Sequence, residues 1–196
     1  MHFRRLACVL LGTWLGGIAL VAAISAYNSR SADRLLAQPA PAALEHLKTV
    51  GRGSVQELLR YHVSEQNRWY RESWGSMQIG LGVAVLFILL FGTHEGKFPL
   101  LGASVMLAIA VAERFALTPE IVAQGRLLDF MPPGSGEAER ARLLVTMSGY
   151  YGLELANAAT GVVLGGMLLR NPRRRSGDAR FQIDAVNEAD YRHVNR

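Results

Sequence analysis

The chain has 196 residues, half of them hydrophobic and 19% charged, with a formal net charge of +5. A soluble helix sets its apolar residues on one face of each turn, whereas here they run in long uncharged blocks. The basic residues cluster at the ends of those blocks, the pattern of membrane topology and not of a nucleic-acid surface.

The first block runs from 6 to 29 without a charged residue. A bilayer crossing needs roughly 20 such residues, so a span is predicted at about 6–27. Arg4 and Arg5 before an apolar run that ends in small residues also resemble a cleaved signal peptide. The run is longer than the usual apolar region of about 7–15 residues, and three further blocks follow, so it is read as a retained helix. Cys8, the single cysteine, has no apolar region before it, which argues against an acylation site and for a packing role.

An extracytoplasmic segment follows over 28–72, broken early by Pro39 and Pro41. A short helix is expected over 42–50, stopped at Gly51 and Gly53. Ser54 with Glu57 three residues later has the pattern of a capping box. From there to Thr93 no proline intervenes, so one continuous helix is predicted. Its amphipathic extracytoplasmic part (the segment 42–73) leads into the second span at 74–93. Trp69, Tyr70 and Trp74 are expected at the interface, where amphipathic aromatics collect. Glu65, Arg68 and Glu72 have intrahelical pair spacing and read as a solvated face, together with Asn67 and Arg71.

His94-Glu95-Gly96-Lys97 is long enough only for a hairpin into the third span, 98–118, which Pro119 is expected to end. The proline- and glycine-rich stretch 131–136 is an exposed loop, and 137–144 a helical lead-in to the fourth span, 147–169. The basic tail 171–196 is polar. The fold class is therefore all-α: an integral membrane four-helix bundle with an amphipathic extracytoplasmic helix leading into the second span.

Orientation follows from the short basic flanks. Arg4, Arg5, Lys97, Arg170, Arg173, Arg174 and Arg175 all fall on one side of an even-span bundle, which predicts cytoplasmic N- and C-termini. The segment 28–72 holds seven Lys or Arg, but five Asp or Glu offset them, and long loops count less in this rule. Only Lys48 and Lys97 among the 21 basic residues are lysine. This Arg bias points to GC-rich coding and so to a bacterial cytoplasmic (inner) membrane.

Helical rise is about 1.5 Å per residue, so depth can be counted from each cytoplasmic boundary. Gln78, Glu113, Glu154 and Asn157 come out at roughly 20–24 Å of a core about 30 Å thick, and Arg114 adjoins them. These five residues form a candidate intramembrane polar cluster. Adjacent helical residues project about 100° apart, so Glu113 and Arg114 are poorly placed to pair, and Glu154 is the expected partner of Arg114. A structural network is the plainer reading of the cluster and a functional pocket the sharper one. Gly161 and Gly165 continue the Glu154 face as a small-xxx-small pattern, and Gly80-Leu81-Gly82 is packing, since no strand precedes it.

None of the five histidines lies deep in a span, which disfavours bis-histidine haem. No zinc helix, nucleophile elbow or phosphate loop occurs in the sequence. Neither a cofactor nor a metal site is expected. The expected partners are the lipid bilayer and other membrane subunits or a second copy of the chain, without nucleic acid. The reading is a non-enzymatic scaffold, accessory subunit or assembly factor. The alternatives are a small oligomeric transporter or channel-like protein and, last, a lipid- or quinone-linked enzyme subunit.

The stretch Ser64-Glu65-Gln66-Asn67-Arg68-Trp69-Tyr70 with Trp74 and Gln78, then Leu117-Thr118-Pro119 and the helix bearing Glu154 and Asn157, resembles the DUF4149 family. That family is grouped with transmembrane protein 205. The resemblance implies four spans and carries no chemistry to transfer. The chain departs from the family in a longer first extracytoplasmic segment, and in having Met147-Ser148-Gly149 where the last helix would begin with a histidine.

Overall fold

The computed structural model describes residues 2–38, 51–92, 97–132 and 134–170. The short helix expected over 42–50, the hairpin at 93–96 and the tail 171–196 lie outside these. The described residues form α1 (His2–Ala37), α2 (Arg52–Gly92), α3 (Lys97–Ala112), a π-helical turn (Glu113–Leu117), α4 (Thr118–Leu128) and α5 (Glu137–Leu169). Four helical rods are long and apolar enough to cross a membrane: Phe3–Ser31, Gly53–Gly92, Lys97–Leu128 and Glu137–Leu169.

α2 is unbroken for 41 residues, as the absence of proline predicts. It starts at Arg52, after Gly51 in a left-handed conformation (φ 91°), so Ser54 falls inside the first turn instead of capping the helix. The third rod does not end at Pro119. A proline inside a helix removes one N–H and crowds the carbonyl four residues earlier, here that of Phe115. The π turn directly before α4 widens the backbone where that carbonyl is freed, and Pro119 then sits in the first turn of α4. The rod crosses its proline at the cost of one extra residue in the ladder. Gly136, at φ 70°, makes the left-handed corner from which α5 departs.

Neighbour contacts run α1 to α2, α2 to α3, α3 to α5 and α5 back to α1. This is a closed square of helices with α2 and α5 on one diagonal. The register is antiparallel throughout. Gly92 abuts Phe3, and Gly82 abuts Trp14 on α1 and Leu107 on α3, where an added Cβ would come within 2.9 Å of each of these last two side chains. Gly161 of α5 lies against Leu15 and Met106 at 3.0 Å on the same measure, whereas Gly165 has open space around it. Only the first glycine of that pair acts as a contact. Ala7, Leu11, Trp14, Val85, Leu89, Ala103, Met106, Leu164 and Leu168 form one buried cluster, with Cys8 packed at its edge.

Trp74 faces the bundle interior and not the lipid. It is buried in that cluster, lying against Gly17, while Trp69 remains 62% exposed. A ring that size fits the interior because Gly17 leaves room beside α1.

Candidate functional site

Above the apolar cluster the interior turns polar. Gln78, Glu113, Asn157 and Thr118 are at most 1% exposed, and Glu154, Tyr150 and Arg71 are also buried. The contacts cross the diagonal. Gln78 on α2 donates from Nε2 to both carboxylate oxygens of Glu154 on α5, at 3.0 and 3.2 Å. Tyr150, one turn earlier on α5, donates its hydroxyl to Glu154 Oε1 at 3.1 Å. Long polar side chains therefore fill the centre of the square where the two backbones are too far apart to touch.

Glu113 lies within electrostatic reach of Glu154. Both of its carboxyl oxygens, both amide atoms of Asn157 and the Gln78 carbonyl oxygen are buried without a hydrogen-bond partner among the described residues. The Trp74 indole stands beside Glu154, yet its N–H makes no hydrogen bond within bonding geometry. Buried polar groups are nearly always paired, so this layer is only half satisfied by the protein itself.

Arg114 is the member of the candidate cluster that the fold does not bring in. Its Nε donates to Ser76 at 3.2 Å and its guanidinium lies 5.8 Å from the Phe115 ring centre. Its stem crosses Gly75. The expected pair with Glu154 is not formed, because the π turn directs Glu113 inward and leaves Arg114 along the flank of α2.

The end of the bundle away from Phe3 and Leu168 carries a second set of contacts that local spacing does not reveal. Arg68 grips Asp129 with two parallel bonds of 2.7 Å each, and also donates to Glu65 at 2.8 Å. Such forked pairs are the strong form of charge-assisted hydrogen bond. The guanidinium passes over Gly125, where a Cβ would stand 2.9 Å from Nη2. Arg126 donates to Glu65 at 2.6 Å and Arg142 to Glu120 at 2.8 Å. Asn67 of α2 joins α1 through Asn28, Ser29 and the Ser25 carbonyl. The face expected to be solvated is thus an inter-helix clasp, with Arg68 and Arg71 buried.

Between clasp and layer lies a cavity of about 690 Å³. Its back wall on α2 and α4 includes the buried Arg68, Arg71 and Ile121, while Val21 and Ser25 of α1 and Met147 and Tyr151 of α5 are partly or fully exposed. The cavity therefore opens sideways between α1 and α5. Lower down, these two helices meet at Leu15 and Gly161. Glu154 and Tyr150 form its floor.

Asp129 and Tyr150 are the functional-site residues that sequence reasoning missed. Tyr150 stood four residues before Glu154 on the same face, a signal that was available. Asp129 lies 61 residues from Arg68, and no local pattern connects them. The four rods and their interior define an integral membrane four-helix bundle with a buried polar layer. No protein family, no characterised protein and no solved structure matches the chain.

Proposed function

We propose that this chain is a non-enzymatic, multi-pass protein of a bacterial cytoplasmic membrane that serves as a scaffold or accessory subunit, and that it belongs with the DUF4149 family. The observation that carries the reading is where the buried polar groups are spent. Gln78 and Tyr150 converge on Glu154, and Arg68 closes on Asp129. The Gln78 and Arg68 contacts each lock one helix to another, and Tyr150 holds Glu154 in place from its own helix, which supports a rigid body. Cytoplasmic termini are supported by the basic flanks; Arg4, which donates to the carbonyls of Leu168 and Arg170, supports only that the start of α1 and the end of α5 share one side.

Native mass spectrometry after extraction in a mild detergent tests the role. A stoichiometric complex with another membrane protein is expected, and a chain that is monomeric both in membranes and after extraction overturns the accessory reading. A small transporter or channel-like protein is the second reading, favoured by the cavity that reaches Glu154. It requires a homo-oligomer in the same experiment.

A further inference from the structure

The geometry points to a binding site for one anionic membrane lipid in the lateral cavity, with Arg71 taking the headgroup phosphate and the acyl chains leaving between α1 and α5. Arg71 is 8% exposed and lines the cavity. Among the described residues none of the ion pairs engages it, and its guanidinium rests 5.3 Å from the Tyr150 ring centre. A buried cation held only by a ring face keeps its hydrogen-bond donors for something else.

Depth selects the lipid. Arg71 lies 21 residues before Gly92, the end of α2, or roughly 32 Å along the helix. The hydrocarbon core is about 30 Å thick, so the guanidinium stands at the phosphate level of the outer leaflet. Charge selects its sign. Arg68 is neutralised by Asp129 and Glu65, which leaves Arg71 as the buried lining cation outside any ion pair among the described residues, with the exposed Arg140 at the rim. Glu154, the one carboxylate on the floor, is already engaged by two donors. The mouth gives access from the bilayer, because its walls are apolar residues such as Val21 and Met147 on the two helices that diverge toward this end. Asn67 and Ser25 add polar groups beside the headgroup position.

The test is lipid binding to the full-length chain, delipidated in a neutral detergent and followed by native mass spectrometry. Dioleoylphosphatidylglycerol should bind once per chain, at least about tenfold more tightly than dioleoylphosphatidylcholine, whose phosphate is the same but whose choline cation offsets the net charge that Arg71 meets. Soluble glycerol phosphate should not displace it. Arg71→Gln should erase the preference, and Arg71→Lys should restore part of it. Ala22→Trp, on the exposed rim and outside the core, should weaken both lipids without lowering the melting temperature, so the idea stays testable if Arg71→Gln fails to fold. Equal affinity for the two lipids, a preference that survives Arg71→Gln, or undiminished binding in Ala22→Trp would each overturn the site. Displacement by glycerol phosphate would overturn the lipid and leave a free anion. None of these outcomes depends on whether the chain has a protein partner.

Discussion

The half of the bundle at the start of α1 and the half that carries the Arg68–Asp129 clasp are held together by different physics. In the first, packed half, Trp14, Met106, Leu164 and Leu168 are at most 2% exposed, and glycines at 82, 92 and 161 bring the helices close. In lipid there is no hydrophobic gain from moving an apolar side chain off the tails and onto a neighbouring helix, so this half depends on close packing. The clasp half substitutes charged pairs for packing and frames a laterally open cavity of about 690 Å³. The contrast separates a part that fixes the fold from a part that is free to hold something. Packing that dense leaves no room for a ligand, whereas a ring of clasps can frame one.

The largest effect should come from breaking the packed half. Trp14 is 1% exposed and its ring fills the space that Gly82 leaves open. Trp14→Ala should cost about 3–5 kcal/mol, read as a fall in unfolding free energy in detergent. If the variant loses less than the single substitutions at the clasp, the packed half is not the keystone and the comparison fails.

Next in size is the clasp. The side chains of Arg68 and Asp129 are 8% and 9% exposed, so this is a buried pair, and removing one partner strands the other. Arg68→Leu or Asp129→Leu alone should cost about 3 kcal/mol, and the double variant should regain much of that loss. A double-mutant cycle measures this. Strictly additive losses would mean that the two groups do not act as a pair.

The two halves also differ in how far the sequence discloses them. Spans are legible because an uncharged run of bilayer length is a one-dimensional signal. The same count along the helices brought Gln78, Glu113, Glu154 and Asn157 to one depth, and all four are buried. Partners are another matter. Arg114 faces Ser76 and not Glu154 because a π turn shifts helical phase by one residue, and only the backbone displays that shift. Arg68 and Arg71 read as solvated because charge at i, i+3 spacing usually is. Their burial depends on Asp129 and Tyr150 arriving from other helices. The burial of Trp74 was hidden for a similar reason, since Gly17 makes its room from 57 residues away.

The smallest effect sharpens the contrast within the clasp half. Arg142 and Glu120 join α5 to α4 at 2.8 Å, but their side chains are 71% and 42% exposed. Water already solvates both charges, and holding two long side chains in one geometry costs entropy, so such a pair contributes between about 0 and 1 kcal/mol. Arg142→Ala should therefore lower unfolding free energy by less than 1 kcal/mol, and raising the salt should remove even that, because exposed pairs are screened. Arg68→Leu should keep most of its effect in the same salt series, since a buried pair is screened much less. Denaturation of both variants at low and high ionic strength gives the answer. If Arg142→Ala matched Arg68→Leu, or if salt erased both losses alike, burial would not distinguish the clasp from the surface pairs. The clasp half would then be held by diffuse charge instead of a specific lock.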